Sequence, residues 1–160
     1  MNTYSSLAKQ PTNRITFWQK WLLAVSLGIS LFGLFMALFN HTLLFDFFNQ
    51  QINPTFWGTA HLPEGVLSFQ RWLYGVWGAT IAGWGIFLTF VTYFSFKRRE
   101  KWAWNCMSIG LGIWFVLDTW ISWQYGVFFN VIFNIVVAVA AGLPLAFSRS
   151  AFIEYDSYAD

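Results

Sequence analysis

The sequence predicts an all-α membrane protein: an antiparallel bundle of four transmembrane helices with a short interfacial helix, or lid, in the first outer loop. Three observations carry this prediction. Hydrophobic residues form 57% of the 160 and charged residues 10%, against roughly 45–50% and about 25% in soluble domains. The apolar residues gather into four runs long enough to cross a bilayer. The basic residues, finally, lie almost entirely on one side of those runs. Nine Lys and Arg with seven Asp and Glu cannot clothe a water-soluble fold, so a conventional soluble enzyme and a disordered chain are both excluded. A net charge of +2 also argues against a nucleic-acid partner; the partner that the composition demands is the lipid bilayer.

Residues 1–17 read as a cytoplasmic segment ahead of span one, which covers about 18–39. That run is too long for the apolar part of a signal peptide and shows no small-x-small cleavage pattern before Asn40, so it reads as a retained anchor. An outer segment, 40–71, follows. Within it Leu44, Phe45, Phe48 and Ile52 recur at helical spacing among Asp46, Asn49, Gln50 and Asn53, and Pro54 offers a stop. This pattern predicts an interfacial helix lying on the outer leaflet or folded over the bundle mouth. Spans two, three and four cover about 72–96, 102–123 and 127–147, completing a transmembrane domain of 18–147, and 148–160 forms a second cytoplasmic tail. Each span covers roughly 30 Å of hydrocarbon at 1.5 Å per residue. Short connections between spans two, three and four predict that these three pack consecutively.

Orientation follows from charge. Lys9, Arg14, Lys20, Lys97, Arg98, Arg99, Lys101 and Arg149 fall on the side of the termini, and Arg71 alone on the other. The positive-inside rule then places both termini in the cytoplasm. The cluster Lys97, Arg98, Arg99 and Lys101 reads first as this topology signal and second as a contact for anionic lipid. Trp18, Trp21, Tyr93, Trp102 and Trp104 are expected at the inner interface, and Trp72, Tyr74, Trp120, Trp123 and Tyr125 at the outer one. Small residues supply helix-packing rows: Gly75, Ala79 and Gly83 in span two with Gly78 and Ala82 on the adjacent row, and Ser26, Ser30, Gly33 and Ala37 in span one. Rows of this kind also suit a homo-oligomer or a membrane partner subunit.

The chemistry concentrates on one carboxylate. If spans three and four reverse near Gly126, Asp118 lies level with Asn134 and Ser122 with Asn130, each pair spaced i, i+4 on one helix face. Reflection through the basic turn brings Thr80 level with Asp118, and Trp84 level with Trp114. The expectation is a polar seam of Thr80, Asp118, Ser122, Asn130 and Asn134 beside an aromatic wall of Trp84 and Trp114, opening to the outer face. Asp118 is the one ionisable residue well inside a span, and such a group faces the bundle interior with partners. It reads either as a hydrogen-bonding strut or as a ligand, proton or ion site. Arg71 is as well placed to pair with Glu64 or water as with Asp118.

Other site types find no support. Cys106 is the one thiol, which excludes a catalyst working through paired cysteines and reads as a small apolar packing residue. His41 and His61 lack metal-ligand spacing and read as interfacial histidines, and no span holds a histidine for haem. No nucleophile elbow occurs. No catalytic residue, metal or cofactor is therefore expected.

Arg71-Trp72-Leu73-Tyr74-Gly75, Gly83-Trp84-Gly85, Lys101-Trp102-Ala103-Trp104, Trp114, Asp118-Thr119, Ser122 and Asn130 to Asn134 together resemble the pattern of small bacterial four-helix membrane proteins of the DoxX-like group, over about residues 15–147. The resemblance implies a multi-pass protein of a bacterial inner membrane and brings no catalytic residues with it. The function expected is non-enzymatic: an interaction subunit, or a binder of a small apolar ligand in an outward-facing cavity lined by Thr80, Trp84, Trp114, Asp118 and Asn134. The alternative is an oligomeric transporter or proton-coupled channel that uses Asp118.

Overall fold

The computed structural model describes residues 12–156, with the side chains of 16–152. Lys9, most of the segment 1–17 and the end of the 148–160 tail lie outside this range. Five helices follow one another: α1 (Thr12–Phe39), α2 (Leu43–Trp57), α3 (Glu64–Phe90) continued by a π-helical stretch (Val91–Phe96), α4 (Lys101–Gln124) and α5 (Phe128–Asp156). Four of them, α1, α3 with its π stretch, α4 and α5, are long and apolar enough to cross a membrane. The chain is an all-α four-helix membrane bundle. Much of its apolar surface faces outward. Leu27, Leu31, Leu34 and Leu38 of α1 are exposed, while Ser26, Ser30 and Gly33 of the same helix are buried. In lipid, large apolar side chains can stay outside and small or polar ones make the helix contacts.

Packing is pairwise. α3 runs tightly along α1, α4 along α5, and the two pairs join where α1 meets α5; α3 and α4, although adjacent in sequence, do not pack along one another. The expectation that spans two, three and four stack consecutively is thereby corrected, and the reason is glycine. A side-chain carbon on Gly33 would collide with the backbone of Gly78 and Ala82, one on Gly78 with the backbone of Ala37, and one on Gly85 with Ser30. The backbones of α1 and α3 touch, and Ser30 Oγ donates across the seam to the Ala82 carbonyl at 3.2 Å. The working row on α3 is thus Gly78, Ala82 and Gly85. Gly83, on the other row, has open space around it, and Ala79 is exposed.

The ends of the bundle are closed differently. At the end holding both described helix termini, Leu22, Phe96, Met107, Ala141, Leu145, Ala151 and Phe152 form one buried cluster, with Phe96 and Phe152 rings 4.6 Å apart. The π stretch sits here. Its Thr92 carbonyl accepts from Gln19 Nε2 at 3.4 Å and its hydroxyl lies 3.6 Å from Met107 Sδ, tying α1, α3 and α4 together. The chain then reverses through Arg99 N–H to Phe96 O and Glu100 N–H to Ser95 O, a Schellman-type stop. Arg99 occupies the left-handed position, φ 58°, where a non-glycine residue costs about 1–2 kcal/mol. Glu100 holds the turn by accepting from Arg98 Nε at 2.9 Å and Trp102 Nε1 at 2.8 Å.

At the opposite end α2 lies over the bundle. Phe45 is fully buried against Met36 and Tyr74, with Phe32, Phe35, Phe48 and Ile81 around them. Phe47 and Phe48 reach Phe129 of α5, and Phe56 reaches Tyr125 of the α4–α5 turn. Pro54 is not the stop expected of it. α2 continues for one more turn, held by these contacts, and ends where Gly58 takes φ 66° and donates to the Pro54 carbonyl.

Leucine at Gly78 should force α1 and α3 apart and abolish cooperative unfolding of the detergent-solubilised protein. Alanine at Gly83 should instead raise stability, by up to about 1 kcal/mol from helix propensity. Chemical denaturation of the two variants side by side provides the check.

Candidate functional site

Three separate features occupy the places where chemistry was expected. The first is the polar seam between α4 and α5. Asp118 Oδ1 accepts from Asn130 Nδ2 at 3.0 Å and from Ser122 Oγ at 3.2 Å, and the same Asn130 nitrogen lies 2.8 Å from Ser122 Oγ. The pairing is diagonal. Asp118 and Ser122 stand one helical turn apart on α4, so one amide from α5 reaches both. Asn134 is buried but donates to Thr119 Oγ1, at 3.4 Å, and not to Asp118. Thr80 is not part of the seam. It is exposed, and its hydroxyl is satisfied by the Val76 carbonyl of its own helix at 3.0 Å, because α3 has been drawn onto α1 and away from α4. No basic side chain among the described residues pairs with Asp118; Arg71 instead meets Glu64 at 3.4 Å.

The second is a network beneath the lid that the sequence reading missed. Tyr74 Oη donates to Asn49 Oδ1 at 2.9 Å, Gln70 Nε2 donates to Asn53 Oδ1 at 2.7 Å and lies 3.4 Å from Tyr74 Oη, and Asn53 Nδ2 donates to the Ala60 carbonyl. Asn53, Gln70 and Tyr74 are buried. Tyr74 is therefore a latch for α2 and not an interfacial anchor. The available signal was spacing: Asn49 and Asn53 lie i, i+4 on α2, as do Gln70 and Tyr74 on α3.

The third is a cavity of about 130 Å³ between the two helix pairs. All four long helices line it: Leu22, Val25 and Ile29 from α1, Trp84 and Leu88 from α3, Cys106, Gly110 and Trp114 among others from α4, and Val137, Ala141 and Leu145 from α5. Its lining is almost wholly apolar. The one hydroxyl, Ser26 Oγ, is spent on the Leu22 carbonyl at 2.9 Å. A cavity with so few polar groups favours apolar guests. Trp84 and Trp114 meet at a centroid distance of 6.3 Å, but in this cavity, which Thr80, Asp118 and Asn134 do not line. The expected single outward-facing site is thus two sites, and the lid covers the end to which it was to open. Cys106, expected as a packing residue, is exposed and lies on the cavity rim.

Among the described residues no group of His, Cys, Asp and Glu gathers as a metal site. No family model, curated protein or solved structure matches the chain.

Replacing Gln70 with Ala leaves buried Asn53 Oδ1 without its donor, at a cost of about 1–3 kcal/mol. Amide exchange across Leu43–Trp57 should accelerate selectively, with α4 and α5 unchanged.

Proposed function

We propose that this chain is a non-enzymatic, multi-pass protein of a bacterial inner membrane that takes up a small apolar ligand in the cavity between its two helix pairs. The observation that carries the reading is the cavity: about 130 Å³, close to the engineered apolar cavity of roughly 150 Å³ that binds benzene. Aromatic and aliphatic walls with few polar groups are the usual character of a small-molecule pocket. Of the two roles that composition leaves open, interaction subunit and ligand binder, this favours the binder. The distribution of basic residues supports termini in the cytoplasm.

Gly110 supplies the test. It lines the cavity, and a Cβ built there meets nothing within 4 Å, so a leucine can start from the helix without a clash at its first carbon, take up space at the cavity wall and improve helix propensity. Benzene added to the detergent-solubilised protein should raise the Tm of the wild type by ligand linkage. The Gly110→Leu protein should start from a higher Tm and gain nothing from benzene. Equal benzene stabilisation of both proteins would remove the reading.

A second reading rests on Asp118, half-buried and without a cationic partner, as the carrier of a proton-coupled flux. In reconstituted vesicles, Asp118→Asn should abolish such flux; flux that survives the substitution excludes Asp118 as the carrier.

A further inference from the structure

Apolarity alone gives the cavity no choice among guests. A molecule dissolved in the bilayer is already surrounded by hydrocarbon, so exchanging lipid tails for Leu22, Val25, Leu88 and Val137 changes its surroundings little. What distinguishes one guest from another is what the walls carry and the tails lack. In this cavity that is the indole pair of Trp84 and Trp114, together with the sulfur-bearing side chains of Cys106 and Met107. The volume, about 130 Å³, sets the other limit and admits a guest of about one ring's size.

The two tryptophans stand where tryptophan is least expected. Trp side chains gather at the membrane interfaces, where the ring meets hydrocarbon and its N–H meets water. Trp84 lies twelve residues before the end of the π stretch and Trp114 thirteen residues into α4, so both are about 18 to 20 Å along their helices from the α3–α4 turn, deep in the hydrocarbon core. Their ring centroids are 6.3 Å apart with the planes inclined at 51°. The pair bridges α3 and α4 where the two helices do not otherwise pack along one another, and both residues line the cavity. A third ring set against an inclined pair has offset-stacked and edge-to-face arrangements open to it, the geometries that aromatic rings prefer. A saturated ring of the same size carries no quadrupole and gains dispersion alone. Sulfur beside an aromatic guest adds a smaller attraction, but Met107 Sδ is already engaged by Thr92 Oγ1 at 3.6 Å and Cys106 is exposed. The indoles are left as the selective elements.

We propose that the cavity selects small aromatic molecules, a single ring in size, over saturated hydrocarbons of equal volume, and that Trp84 and Trp114 make the choice. This rests on the cavity being a ligand site and names the class of its ligand.

The test compares benzene with cyclopentane, a saturated ring of nearly the same volume, both supplied to the detergent-solubilised protein through the vapour at matched activity so that uptake by the micelle cancels. Binding is read from the rise in Tm with guest activity. Wild type should bind benzene about fivefold more tightly than cyclopentane, the size of one good aromatic contact. Trp84→Leu and Trp114→Leu should each bring the two guests close to parity while still binding both, and Trp114→Phe should keep the preference. Equal binding of the two guests by wild type overturns the proposal and leaves the apolar-ligand reading standing; a wild type that neither guest stabilises removes both. A benzene preference that survives both leucine variants also overturns it, since the indoles would then not be its source. The wild-type comparison decides by itself where a leucine variant fails to fold.

Discussion

The close approach of α1 and α3 organises everything else in this bundle. Three glycines, Gly33, Gly78 and Gly85, remove the side chains that normally hold helix axes apart, and the backbones come into contact. Lipid tails are as apolar as the helix surfaces, so contact area between backbones and a few interhelical hydrogen bonds must drive association inside a membrane. Once α3 is committed to α1, it is too far to pack along α4, which closes instead on α5. A bundle built as two pairs leaves room in the middle. The cavity is the consequence of where glycine stands in α3.

The same commitment explains the division of polar groups. Asp118, Ser122 and Asn130 satisfy one another within the α4–α5 pair, and Asn49, Asn53, Gln70 and Tyr74 do so between α2 and α3. Neither set opens into the central space. The central space is lined almost wholly by apolar side chains although the chain holds an intramembrane acid, because Asp118 finds its partners within the α4–α5 pair. The lid, for its part, bridges the pairs at one end through Phe45 on α1 and α3 and through Phe48 on α5, while Phe96 and Phe152 bridge them at the other.

Much of this was legible in the sequence, and the failures have one source. Helix number, helix length and the lid come from local composition and periodicity, which a single chain displays openly. Depth bookkeeping put Asp118 level with Asn134 and Ser122 level with Asn130, one helical turn from the observed Asn130–Asp118 bond, and put Trp84 level with Trp114, because reflection about a turn needs only the helix rise. What it could not supply was rotation and neighbour choice. Two rows of small residues were visible on α3, one through Gly75, Ala79 and Gly83 and one through Gly78 and Ala82, and sequence alone assigns neither to a partner. Selecting the second row turns α3 toward α1, leaves Thr80 exposed and separates the tryptophan pair from the carboxylate. Tyr74 was read as an anchor for the same reason: its partner, Asn49, lies on a helix whose rotation the pattern left open.

The paired architecture and the space between the pairs are tested together by a structure determined under xenon pressure. Xenon occupies dry apolar cavities of this size. The account expects one atom between Trp84, Leu88, Trp114 and Ala141, with α3 and α4 apart over that length. A structure in which α3 packs directly on α4 and no xenon enters between them would contradict it.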